Sequence, residues 1–141
     1  VWLSDRLVHN GLADPCGRLH KVRITNAVKC FPPGNRPTAA EIRSCTSLWL
    51  TDEIRAPGLR VVLCLGGVAH RAVNASLGIR QADHRFAHGA HHQEGSLALF
   101  SSFHPSPLNT QTGRLTATQF DHVLGLALAT ASGIVQAPAL R

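Results

Sequence analysis

Trp2, Leu3, Leu7 and Val8 recur at helical spacing, which predicts a short amphipathic helix ending near Gly11. Asp14-Pro15 and Gly17 mark a turn. From Lys21 to Val28 the pattern changes to alternation, with Val22 and Ile24 on one face, and predicts a strand. A Pro/Gly-rich loop follows at Phe31 to Pro37. Thr38 with Glu41 three residues later is a capping-box pair, predicting a helix through about Glu53 that Pro57-Gly58 terminates. Val61 to Leu65 is an unbroken apolar run, the pattern of a strand covered on both faces. It stops at Gly66-Gly67 and leads into a helix from Val68 to about Leu77. Residues 79–95, rich in His, Gly and charge, read as an irregular functional loop. Ser96 to Phe103 is a third strand, ended by His104-Pro105. Thr116 and Gln119 form a second capping-box pair, for a last helix running to about Ala131.

Strands that alternate with helices argue for an α/β domain, three-layered, with a mostly parallel central sheet flanked by helices. Ligands in such sheets bind beyond the carboxyl ends of the strands. Three distinctive segments fall there: Asn26 to Arg36, Gly66-Gly67 and His104 to Asn109. With 141 residues the chain is one domain, assigned to 1–135, with 136–141 as a frayed tail.

Composition narrows the partner. The net charge is +6, and of the fourteen Lys and Arg all but Lys21 and Lys29 are arginine, so a polyanion is favoured. No apolar run approaches the roughly 18 residues of a membrane span. Asp5 and Arg6 interrupt the opening where a signal peptide would be apolar, so a cytoplasmic location and no membrane partner are expected. The chain has no methionine and opens on Val1, which reads as a piece of a longer gene product.

His104 stands at a strand end before two prolines, on a stiff loop. Such a histidine can donate a hydrogen bond to negative charge developing on a substrate. A histidine capping a backbone carbonyl is an equal alternative from residue types alone. Asn26, near the end of its predicted strand, could pair with the Watson–Crick edge of a base or close its own turn. Cys30 and Cys45 lack the CxxC spacing of a metal site, and Cys16 and Cys64 add none. Cys64 reads as a small core residue. His84, His88, His91 and His92 cluster locally, and His88 with His92 could hold zinc only on a helix, which Gly89 and Gly95 argue against.

Taken together, Ile24-Thr25-Asn26-Ala27-Val28-Lys29-Cys30, Pro32-Pro33-Gly34-Asn35-Arg36-Pro37-Thr38 and Glu41-Ile42-Arg43 with Cys45 resemble the iron–sulfur uracil-DNA glycosylases of prokaryotes. Phe86-Ala87-His88-Gly89-Ala90, His104-Pro105-Ser106-Pro107-Leu108-Asn109-Thr110 and Thr112-Gly113-Arg114-Leu115-Thr116 are similar to the type-5 branch. The similarity runs to about Val123.

The resemblance implies excision of uracil from DNA after base flipping, with Asn26 reading the uracil and His104 contacting its carbonyl. Pro105, Ser106 and Asn109 would approach the DNA strand, His88 would lie at the pocket edge, and the arginines, Arg114 among them, would meet phosphates. Cys30 and Cys45 match two of the four ligands of a [4Fe–4S] cluster. The family's amino-terminal CxxC and its Gly/Ala/Pro-rich first motif, with the type-5 aspartate, have no match in this sequence and are expected to precede Val1. On that reading the isolated chain has poor activity and no stable cluster, and the complete protein is a monomer acting on uracil-containing DNA. A nucleic-acid-binding remnant without catalysis is the alternative, and a small zinc protein a third.

Overall fold

The computed structural model describes residues 2–26, 38–45 and 49–132. Its helices are α1 (Trp2–His9), α2 (Ala39–Cys45), α3 (Thr51–Ile54), α4 (Gly67–Leu77), α5 (Pro107–Gln111) and α6 (Ala117–Ala131). Three strands, β1 (Val61–Leu65), β2 (His91–Glu94) and β3 (Leu97–Ser102), form one sheet in the order β1-β3-β2. β1 and β3 run parallel with Leu65 opposite Ser102, and β2 joins β3 as an antiparallel hairpin. The chain is thus an α/β domain, with a mixed sheet built on the expected parallel pair.

Side-chain alternation along β1 and β3 sorts the core into two faces. Val62, Cys64, Leu97 and Leu99 meet Ala72 and Val73 of α4 and Leu50 and Ile54 beside and within α3. On the opposite face Val61, Leu63, Ala98 and Phe100 meet Val123 and Ala127 of α6. Beyond them Leu65 and Phe103 join Leu7, Leu115, Phe120 and Leu124. α1 lies against α6 through the Trp2 ring, edge-on to Phe120 at 5.2 Å, and through Asp121, which accepts from Arg6 Nη1 at 2.8 Å and Asn10 Nδ2 at 3.0 Å. Among the described residues no helix is long and apolar enough to cross a membrane.

The α6 capping box forms as its sequence requires. The Thr116 hydroxyl accepts from the Gln119 N–H, and the Gln119 side chain accepts from the Thr116 N–H. Thr116→Ala therefore lowers stability by about 1 kcal/mol, measured by urea denaturation.

Two expectations change. The strand expected at Lys21 to Val28 is absent from its described part, residues 21–26. Lys21 takes a left-handed φ of 59°, which breaks an extended run, and Ile24 stays 51% exposed with no sheet face to cover it. The helix expected from Thr38 to about Glu53 is helical wherever it is described, as α2 and again over 49–54, with 46–48 outside the described residues. Residues 79–95, read as a loop, contain β2, whose polar His91-His92-Gln93-Glu94 has no apolar period to betray it. Pairing with β3 through the tight turn at Gly95 makes it a strand.

Candidate functional site

The site lies where the parallel strands end together. Gly66 donates its N–H to the Ser102 carbonyl at 2.9 Å, so the turn after β1 is clasped to the end of β3 just before Phe103 and His104. Gly66 has φ 96° and ψ 168°, a conformation essentially confined to glycine. A Cβ there would stand 3.0 Å from His104 Cβ, so the missing side chain is the space the histidine occupies. A Cβ on Gly67 would stand 3.0 Å from Arg71 Nη1 and 3.7 Å from the Phe86 ring.

His104 is exposed, and its backbone is held from the far side. Asn109 Nδ2 donates to the His104 carbonyl at 2.8 Å, while the Leu115 N–H binds the Asn109 carbonyl at 3.0 Å. Ser106 caps α5 by accepting from the Asn109 N–H, with Pro107 in the first helical turn, where a missing N–H costs nothing. Asn109 and Ser106 thus build the platform for His104. Pro105 is half-buried beside them, whereas Leu108 projects at 74% exposure.

Phe103 links this loop to the histidine-rich segment. Its N–H donates to His88 Nδ1 at 3.1 Å, and the His88 ring stacks on it with centroids 5.0 Å apart and planes at 28°. A neutral His88 therefore carries its proton on Nε2. The exposed Arg114 guanidinium sits 4.7 Å from the Phe103 centroid, a cation–π contact. Phe86 approaches the same ring edge-on at 6.3 Å.

Asn26 is exposed at the end of the described segment 2–26. Cys30 lies outside the described residues. Cys45 closes α2, with its side chain outside them too. Cys16 is exposed and Cys64 buried, and burial pushes the Cys64 thiol up to about 12. No group of three or more His, Cys, Asp or Glu among the described residues could hold a metal ion, so His84, His88, His91 and His92 do not converge as a zinc site there.

Sequence reading missed a buried polar knot behind the site. His70 and Asn74, four apart on α4, are 1% and 0% exposed. His70 Nε2 donates to the His84 carbonyl at 2.7 Å, and its Nδ1 accepts from the Ser101 hydroxyl, also at 2.7 Å. Asn74 Nδ2 donates to the same carbonyl at 3.0 Å, and its Oδ1 accepts from His84 Nδ1 at 2.9 Å. Two polar residues one helical turn apart amid Ala69, Ala72 and Val73 were the available signal.

Burial lowers the pKa of both histidines, that of His84 to about 4, with His70, His92 and His91 adding repulsion. As the pH falls below 6.5 the unfolded chain gains a proton on His84 that the folded chain refuses until about 4. Stability held above pH 6.5 is therefore lost progressively down to about pH 4, by as much as about 3 kcal/mol from His84. Urea midpoints recorded from pH 7 to pH 4.5 should fall, and less steeply in His84→Gln.

Residues 3–126, which include His104 and the glycine turn beside it, match the uracil DNA glycosylase superfamily, to which the chain belongs. It is 47% identical over 110 residues to the type-5 uracil-DNA glycosylase of Pyrobaculum aerophilum, covering 78% of this chain and 47% of the relative. With the type-5 uracil-DNA glycosylase of Thermus thermophilus it shares 45% identity over 109 residues, 76% of this chain and 49% of the relative. A type-4 uracil-DNA glycosylase of Archaeoglobus fulgidus is 37% identical over 70 residues, 49% of this chain and 35% of the relative. The chain spans about half the length of the type-5 relatives from Pyrobaculum and Thermus.

Proposed function

We propose that the protein removes uracil from DNA by hydrolysing the bond between the base and deoxyribose. The observation that carries this reading is His104 held between Gly66 and Asn109 at the strand ends, in a chain of this superfamily. The target nucleotide is flipped out of the stack at a cost of about a few kcal/mol, least at a mismatch. The C1′–N1 bond then breaks with its electron pair passing to uracil, which leaves as an anion. His104 donates a hydrogen bond to the uracil carbonyl oxygen, where that charge collects. A donor fixed before the reaction stabilises charge without reorganising, and here the Asn109 amide holds the His104 carbonyl while Gly66 leaves room beside its ring. Asn26 pairs with the Watson–Crick edge of the base, which selects uracil. Water adds its oxygen to C1′, and its protons end on the sugar hydroxyl and the departing base.

Pro105, Ser106 and Asn109 form the loop that approaches the DNA strand. His88 borders the base pocket through Phe103, and Arg114 holds a phosphate with its exposed guanidinium. Arginine contacts of that kind confer salt-dependent affinity with little sequence preference. Cys30 and Cys45 would serve as two ligands of a [4Fe–4S] cluster, which would brace the fold by tying their segments together. Cys64 packs in the apolar core between the sheet and α4, and by the resemblance the other two ligands have no counterpart among the cysteines of this sequence. The protein works as a monomer in the cytoplasm.

Single- and double-stranded oligonucleotides carrying one uracil test the reading. The protein as encoded should leave an alkali-labile abasic site in both, faster opposite guanine than adenine. Salt-sensitive binding without any abasic product would instead favour a non-catalytic nucleic-acid-binding role.

A further inference from the structure

Residues 79–90 carry Phe86 and His88 to the site, yet form no strand or helix with which to hold themselves there. Their placement depends on the segment's attachments to β3 and α4. Near the middle, the His84 carbonyl receives His70 Nε2–H and Asn74 Nδ2–H. At the far end, the Gly89 N–H binds the Ser101 carbonyl at 2.8 Å and the Ser101 N–H binds the Ala90 carbonyl at 3.0 Å. Ser101 lies three residues before His104, and its hydroxyl meets His70 Nδ1. One strand residue therefore references the segment at two points, directly at 89–90 and through His70 at 84. The His70 ring also stands edge-on to Phe86, with centroids 5.4 Å apart.

A buried imidazole is costly where an apolar side chain would fill the same space, unless both nitrogens are bonded. At His70 both are bonded, each to a different part of the fold. We infer that His70 is a positioning residue: it ties Ser101 to the His84 carbonyl and so fixes Phe86 and His88 relative to His104 across the base pocket. The catalytic consequence rests on the glycosylase reading above. A wall displaced by a fraction of an ångström misaligns a flipped base against its donors, whereas the surface that meets the DNA backbone is untouched. The inference thus separates turnover from binding.

The test pairs kinetics with a geometric readout in the protein as encoded. In His70→Leu, single-turnover excision should fall about tenfold or more, while the Kd for a duplex carrying an uncleavable 2′-fluorinated deoxyuridine stays within about twofold. His70→Gln retains an amide N–H for the His84 carbonyl and should recover most of the rate. Nitrogen-15 NMR of the His88 ring reads the position independently. The wild type should give the Nε2–H form with Nδ1 accepting, and His70→Leu a mixture as the Phe103 N–H bond loosens. If His70→Leu does not fold, Ser101→Ala frees His70 Nδ1 without touching the segment and should change the His88 signals in the same sense. Unchanged His88 signals in the folded variant would overturn the inference, as would a rate loss that only follows melting temperature and that glutamine does not rescue. A wild type without excision would defeat the glycosylase reading alone, leaving the His88 signals to decide the positioning.

Discussion

In His104→Ala, single-turnover excision of uracil is expected to fall by about a hundredfold to a thousandfold, with DNA affinity changed by no more than about twofold. The expectation follows from what this side chain does not do. It is exposed at the end of β3, and the hydrogen bond that holds the loop uses its carbonyl, while its Cβ and ring edge lie beside Gly66. Alanine keeps the carbonyl and the Cβ, so Ser106, Asn109 and the cap of α5 remain in place. Stability should stay within about 0.5 kcal/mol of the wild type, as for an ordinary surface change. What is lost is the ring donor that the proposed mechanism sets against the departing base. His104→Gln retains an N–H at a different reach and should recover part of the rate. A rate unchanged by alanine, with the protein folded, would remove His104 from the chemistry and with it the proposed mechanism.

Gly66→Ala should be nearly as damaging for a different reason. At φ 96° and ψ 168° an L side chain costs about 1–3 kcal/mol in backbone strain. The new methyl would also stand 3.0 Å from His104 Cβ, an atom fixed to the backbone that cannot swing aside. Relief requires the ends of β1 and β3 to part, straining the Gly66 N–H bond to Ser102. Loss of stability should therefore come with an excision rate at least about tenfold lower, because His104 moves with the strand end. Gly67→Ala is the control. Its obstacle is the far end of the Arg71 side chain, which can rotate away, and its backbone is helical. Comparing the two variants by urea denaturation and single-turnover assay separates the tight turn from a general intolerance of bulk.

The parts of this fold legible in sequence are those whose side chains face a single environment. Val61 to Leu65 is apolar throughout because both sheet faces are covered. Thr116 with Gln119 announces α6 because the capping bonds are local. The strand ends, and hence the place of His104, followed from those elements alone. β2 was hidden because its four polar residues become a strand only through pairing with β3. Lys21 to Asn26 misled in the opposite direction, since alternation without a partner sheet makes no strand. His70 and Asn74 went unread as a site because their partners, Ser101 and His84, are distant in sequence. The roles of Asn26, Cys30 and Cys45 came from motif resemblance, and no local physics of those residues would have supplied them.

The clasp between α1 and α6 bears on how the chain acquires its shape. Arg6 and Asp121 are 115 residues apart, and the Trp2–Phe120 contact spans a similar length. α1 is synthesised about a hundred residues before α6, so Leu7 and Trp2 wait for their α6 partners while the segment between is made. Long-range closures of this kind are made late and slowly, after the local strand–helix units have formed. The apolar face of α1 thus lacks its α6 cover until residues 117–131 have been made.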